Sequence, residues 1–454
     1  MLKAVHHFPA GFLWGAATSS HQVEGDNTNN DWWLWEQQPD RILQGHRSRK
    51  ACDWWGGRWK EDFDRAATGG QNAHRLSLEW SRIEPSPAVW DEGSLAHYRE
   101  MIRGLLDRRM MPMVTLHHFT NPVWVAERGG WFNPEVVAWF ERYVRKVASS
   151  LGDLVGLWIT INEPNVYATQ GYVLGHFPPG ERDLKKSFVV TRHLVQAHAA
   201  AYHAIHEIRP GALVGIAHHY RGFVPARKAS PLDRFVARLR HRLFNDLIPR
   251  TVFDGILRNP FGRERIPQAR ATQDFLGLNH YTVEHCAFDI GRPKELFTHG
   301  FYPEGADLSP TGFIANDPEG MWDALQWAHG FGLPIYITEH GVEDHEDRLR
   351  PRYIVSHLMK IWHAMNIHWR VQGYFHWTLV DNFEWERGWT QRFGLWELDV
   401  ETQVRRKRAS ADLYAEICQM NALSSETVAR YAPEVHEKLF PSRGSPDLGL
   451  TRAV

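Results

Sequence analysis

The chain has 454 residues, 43% of them hydrophobic, with 36 Gly and 25 Pro, which is enough to bury a large core and too evenly composed for disorder. Its 52 Lys+Arg balance 53 Asp+Glu, so bulk charge gives no hold on nucleic acid or a membrane surface, and the expected partner is a small neutral molecule. Cys52, Cys286 and Cys418 follow no metal or redox spacing, and neither a signal-type leader nor an apolar run of roughly 18 residues is present. The expectation is a soluble, cytoplasmic protein in a reducing compartment.

In chain order, eight short β-type runs recur: FLWGAAT from Phe12, AHRLSLEW from Ala73, MPMVTLHHF from Met111, LWITINEP from Leu157, LVGIAHHY from Leu213, FLGLNHYT from Phe275, LPIYITEHG from Leu333 and GYFHWTLVDNF from Gly373. Stretches of helical periodicity lie between them, among them SLAHYREMIRGLLDRR from Ser94, PEVVAWFERYVRKVASSLG from Pro134 and FVVTRHLVQAHAAAYHAIHEI from Phe188. Eight strand-helix alternations predict a parallel sheet closed into a (β/α)8 TIM barrel as a single domain, residues 1–430. An open doubly wound sheet is the rival, but no glycine fingerprint follows the first run. Residues 431–454 lose periodicity and read as a tail of unknown role. Arg405, Arg406, Lys407 and Arg408 read as a solvated face opening a helix.

Barrel active sites gather at the carboxyl ends of the strands. That places Gln22, Glu24, Glu79, Arg82, His117, His118, Asn162, Glu163, Asn279, Tyr281, Glu339, Asp381 and Glu384 around one mouth. Glu163 and Glu339 end two apolar strands on roughly opposite sides of the ring, where an unpaired acid is otherwise rare. Two facing carboxylates are what glycosidic cleavage needs, one to protonate the leaving oxygen and one to meet the oxocarbenium-like carbon. Arg75 shares strand parity with Ser77 and Glu79, so it points inward and suits an ionised carboxylate at the centre. The pair His117 and His118 raises a metal site, as His6–His7 and His218–His219 do, but adjacent strand residues face opposite ways and no matching ligand set accompanies them. No metal and no cofactor are expected. The 21 Trp are a compositional outlier; each is more readily a core residue than a platform for a sugar ring.

From FPAGFLWGAATSSHQVEG near residue 8 to RRKRASADLYAEI near residue 417, the chain resembles glycoside hydrolase family 1, the β-glucosidase and β-galactosidase group. The motifs TINEP, from Thr160 to Pro164, ITEHG, from Ile337 to Gly341, and WTLVDNFEWERGWTQRFGL, from Trp377, come in the family's order. The resemblance implies a retaining exo-β-glycosidase acting on terminal β-D-glucosides, and on β-galactosides or β-fucosides. In it Glu163 is the general acid/base and Glu339 the nucleophile that forms a glycosyl-enzyme. It also implies that Gln22, His118, Asn162, Glu384 and Trp385 bind glycone hydroxyls, that Trp377 lies under the sugar with Phe393 near its far end, and that Arg75 and Tyr281 hydrogen-bond the nucleophile. Retention requires carboxyls about 5 Å apart, and the charge of Glu339 is then expected to raise the pKa of Glu163. Glu384, a carboxylate in NFEW, argues for an unphosphorylated glycone. His340, His280 and Phe313 depart from the family's usual Asn, Tyr and Trp, and the last bears on the leaving group. Transglycosylation through the same intermediate and sugar binding without catalysis stay open, as does the oligomeric state.

Overall fold

The computed structural model describes residues 4–441. Its centre is a ring of eight parallel strands: β1 (Leu13–Ala17), β2 (Ala73–Ser77), β3 (Met111–His117), β4 (Leu157–Asn162), β5 (Leu213–Pro225), β6 (Phe275–Phe288), β7 (Ile335–His340) and β8 (Val371–Trp377). Each pairs with its sequence neighbour, and β8 closes on β1 through Gly373↔Leu13 to Trp377↔Ala17. The barrel is a single domain, as the eight runs predict. Strands paired on both edges and covered on both faces read as near-continuous apolar runs, and these do.

One helix from each connection covers the outside: α1 (Trp59–Thr68), α2 (Glu92–Asp107), α3 (Val136–Leu151), α4 (Leu184–Ile208), α5 (Leu247–Asp254), α6 (Pro318–His329), α7 (Arg350–Asn366) and α8 (Ala409–Met420). Asp91 and Asp183 cap α2 and α4, their carboxylates accepting the backbone N–H of Ser94 and of Lys185. Inside the ring Ala17, Met113, Ile159, Phe275, Tyr336 and Phe375 pack together, so the barrel is filled rather than hollow. Gly15 makes this possible, since a Cβ there would lie 2.7 Å from both the Ala73 carbonyl and the Phe375 ring.

Two features differ from the sequence reading. β5 and β6 run past the rim as a ribbon, with Phe223↔Glu284 and Pro225↔Cys286 still in register, and Thr298–Phe301 adds to it antiparallel. The cluster at 405–408 is half buried and its first residues form a strand paired with Trp396–Leu398. Arg405 meets Asp62 at 3.0 Å and Arg408 grips Asp381 at 2.8 and 2.9 Å; only Arg406 and Lys407 face outward. Arg405, which opens the strand, and Arg408, just past its end, turn inward, where a buried carboxylate offsets the desolvation of each.

The expected boundary near residue 430 falls within a helix, Ser425–Tyr431. Beyond it Ala432 is buried and Phe440 stacks on His6 at 5.0 Å. The rest of the expected tail, 442–454, lies outside the described residues. The three cysteines are buried and free.

Candidate active site

Glu163 leaves β4 in the left-handed region, φ 42 and ψ 57, with Pro164 starting the helix that follows. A non-glycine residue held there costs about 1 kcal/mol or more and persists only where its surroundings fix it. Its N–H donates to the Ala217 carbonyl at 2.7 Å, and its Oε1 receives Asn279 Nδ2 at 2.7 Å, with His219 Nδ1 at 3.1 Å. Glu339 sits near the end of β7, beside a register shift against β6 that pairs it with Asn279. Arg75 Nη1 donates to its Oε1 at 2.5 Å and the Tyr281 hydroxyl to its Oε2 at 2.7 Å.

One network joins the two acids. Arg75 Nη2 donates to Asn162 Oδ1 at 2.6 Å, Asn279 Nδ2 reaches the same oxygen at 3.2 Å, and Thr338 Oγ1 donates to Asn279 Oδ1 at 2.6 Å. Arg75 is wholly buried, and Thr115 accepts from its Nε and the Thr338 carbonyl from its Nη1. An inward guanidinium with all three nitrogens engaged is rigid, as orienting a carboxylate requires.

The two carboxyls are perturbed in opposite senses. Burial pushes Glu339 up to about 7, with the charge of Glu163 adding to the push while Arg75 and Tyr281 oppose it. Glu163 feels the same burial, but the imidazole of His219 and the amide of Asn279 hold it below its ordinary value. The upward shift expected for Glu163 is thus opposed, chiefly by His219. The residue escaped the sequence reading because the His218–His219 pair entered it only as a metal candidate. Strand alternation carried the signal: His219 faces the mouth while His218 packs on Trp327 at 5.6 Å.

A cavity of about 180 Å³ contains both acids with His118, Asn162, Tyr281, Trp377, Glu384, Trp385 and Phe393 along its walls. Beside Glu384, Gln22 Nε2 lies 3.2 Å from Glu384 Oε2 and 2.8 Å from the Phe383 carbonyl, and Ser19 Oγ orients the amide at 2.6 Å. His118 Nε2 lies 3.0 Å from Asn162 Nδ2, and its ring is near-parallel to those of Trp377 and Trp385, each at 6.0 Å. Glu384 is raised to about 8 by burial, by Glu386 and by Glu339, against hydrogen bonds from Trp377 and Gln22. Every residue expected to bind the glycone or support Glu339 therefore lies at this cavity or touches a residue that does. Trp32 backs Trp385 at 4.7 Å. Most of the other tryptophans, such as Trp14, Trp54, Trp80, Trp131 and Trp158, are core.

Other residues expected at the mouth serve the scaffold instead. Glu24 binds Arg82 at 2.9 Å and Tyr98 at 2.7 Å; Glu79 accepts from Ser81 at 2.7 Å and Thr120 at 2.9 Å. His117 turns away from the mouth to Asn121 at 3.1 Å, opposite to His118 as alternation requires. Asp381, fully buried, takes Arg408 and the Gly394 N–H at 2.8 Å, which anchors the loop carrying Glu384 and Trp385. Of the departures from the family pattern, His340 stacks on Tyr353 at 4.6 Å and His280 Nδ1 lies 3.1 Å from the Tyr220 carbonyl, both in the wall, while Phe313 lines the cavity.

Residues 4–423 match the model of glycosyl hydrolase family 1. A β-glucosidase A of Thermotoga maritima is 32% identical over 92% of this chain and 99% of its own length, and a β-galactosidase of Pyrococcus woesei is 30% identical over 92% and 98%. Among solved structures, a β-glycosidase from Pyrococcus horikoshii superposes with a TM-score of 0.88 at 37% identity, over 94% of this chain and 98% of that one. The Thermotoga maritima β-glucosidase in complex with glucoimidazole gives 0.87 at 30% identity, over 92% and 100%. With a closed eight-strand barrel, two buried carboxylates at its mouth and this likeness along its length, the chain belongs to glycosyl hydrolase family 1 and is an enzyme of the β-glucosidase and β-galactosidase type.

Proposed function

We propose that the enzyme is a retaining exo-β-glycosidase that releases terminal β-D-glucosyl residues, and galactosyl or fucosyl residues, through a covalent intermediate on Glu339. The observation that carries this reading is the network joining the two acids: a guanidinium and a phenol converge on Glu339, and an amide and an imidazole on Glu163. Only Glu339 has a formal cation at 2.5 Å, so in the reactive form the charge resides there and the proton on Glu163. Both donors to Glu163 meet Oε1, which leaves Oε2 to deliver the proton.

In the first step Glu339 attacks the anomeric carbon while Glu163 protonates the departing oxygen, and the C–O bond to the aglycone breaks as the ester bond forms. The negative charge opposite Glu163 is then gone, so its pKa falls; having given up its proton it stays ionised and serves as base, taking a proton from the water that cleaves the ester. Two displacements return the β-configuration. Gln22, Glu384 and Trp385 bind the hydroxyls of the one terminal sugar. Glu384 accepts hydrogen bonds from two adjacent hydroxyls and discriminates poorly between glucose and galactose.

The test is a 2-deoxy-2-fluoroglucoside with a good leaving group, followed by peptide mapping. A stable glucosyl ester on Glu339 and a β-anomer as first product in NMR are expected. An α-anomer first, or the label on another residue, overturns the reading.

A further inference from the structure

Where β5 and β6 rise past the rim, they and the helix Pro231–His241 between them carry a group of charges that the glycosidic chemistry does not use. Arg221 and Arg240 both turn to Glu284: Arg221 Nη1 lies 3.4 Å from Oε2, and Arg240 Nη1 is in close contact with Oε1. Two cations share one carboxylate, so one positive charge is left over. The Nε of Arg221 is buried and has no hydrogen-bond partner among the described residues. A buried guanidinium N–H without an acceptor is costly unless a ligand supplies one. Both arginines line the cavity that holds Glu163 and Glu339, and neither pairs with those acids.

The same wall is aromatic. Arg240 lies over the Phe223 ring at 4.6 Å, Phe223 meets Phe244 edge-on at 5.9 Å, and Phe244 touches His219 at 5.6 Å. His219 is the neighbour of Glu163, so the aromatic wall begins beside the proposed proton donor and ends at the two arginines. Asn245 fixes the position of Arg221 by bonding its backbone N–H at 3.1 Å and its carbonyl at 2.8 Å. Elsewhere in the cavity the charge is different: Glu384 and Glu386 lie with Arg387, whose guanidinium pairs with Glu386 and covers Phe313 at 5.1 Å. The surplus cation is thus confined to the β5–β6 side.

We infer that this wall is a leaving-group subsite for aromatic aglycones bearing a carboxylate, the ring lying against Phe244 and Phe223 and the carboxylate bound by Arg221 and Arg240. The inference rests on the glycosidase reading above. A carboxylate there neutralises the uncompensated charge and gives the Arg221 Nε–H its acceptor. An uncharged aglycone of the same shape does neither.

The experiment compares 4-carboxyphenyl and 4-carbamoylphenyl β-D-glucosides as a ratio of kcat/KM, first in the unaltered enzyme and then in Arg221→Gln and Arg240→Gln. The intrinsic difference between the two leaving groups cancels across variants. Expected is a fall in the carboxylate-to-amide ratio on the order of tenfold in each variant, the size of one charge-assisted hydrogen bond. In the unaltered enzyme the ratio should also fall as sodium chloride is raised, a readout that needs no variant to fold. A ratio unmoved by both substitutions and by salt overturns the subsite and leaves the arginines as braces of the ribbon. No turnover of the amide glucoside by the unaltered enzyme overturns the glycosidase reading itself.

Discussion

Tyr281→Phe isolates one hydrogen bond at the nucleophile. The hydroxyl lies 2.7 Å from Glu339 Oε2, and the ring is held independently of it, since Tyr353 donates to the Tyr281 carbonyl at 2.7 Å and Phe393 packs edge-on at 6.2 Å. Phenylalanine therefore keeps the shape and removes only the donor. A hydrogen bond to a charged group is worth about 1.5–3 kcal/mol, so kcat/KM should drop by roughly 10- to 150-fold at 1.36 kcal/mol per decade. Loss is incomplete because Arg75 remains 2.5 Å from Oε1. The pH profile gives a second readout. Glu339, pushed up to about 7, must be ionised to attack; losing a donor that favours the charged form raises its pKa, and the acid limb of kcat/KM moves to higher pH. Steady-state hydrolysis of p-nitrophenyl β-glucoside across the acid and neutral range measures both. A variant within about twofold of the parent, with an unmoved acid limb, would refute the claim that Tyr281 holds the nucleophile in its charged form.

Three further outcomes follow from the site and its scaffold. Glu339→Gly should lose activity by about 10⁴-fold or more, and azide should restore turnover as α-glucosyl azide; recovery of the β-azide, or no rescue in a folded variant, would take the nucleophile role from Glu339. His219→Ala removes the imidazole that holds Glu163 below its ordinary value. The pKa of the acid then rises, and the basic limb of kcat/KM should shift to higher pH while the acid limb stays. Arg405→Met leaves the fully buried Asp62 with Trp54 and Arg65 as partners but without its buried cation. Breaking a buried pair costs about 3–5 kcal/mol, read as a lower midpoint in urea unfolding, and a midpoint equal to the parent's would mean that the cluster is a solvated face after all.

The eight strands were legible because each is buried on both faces and so appears as an unbroken apolar run, and because the run count itself predicts closure. Glu163 and Glu339 were legible for a related reason: an acid ending such a run has no cheap alternative environment. Arg75 followed from parity on β2, and the glycone residues from the resemblance of HQVEG, LHHF and NFEW to their family counterparts. Alternation also held the information that His219 faces inward, but the histidine pairs were weighed only as metal ligands. At residues 405–408 the run of like charge hid a strand whose inward cations meet Asp62 and Asp381, partners hundreds of positions or a loop away.

What the sequence alone determined is therefore the barrel, its two acids and the class of bond they address, because period, burial and motif are local properties of the chain. The tertiary structure decided which charges meet. His219 reaches Glu163 only because β4 and β5 are adjacent, and Arg221 and Arg240 share Glu284 only because β5, β6 and the helix Pro231–His241 pack together beyond the rim. Electrostatic effects depend on distance in space and on exclusion of water, neither of which has a period in the sequence.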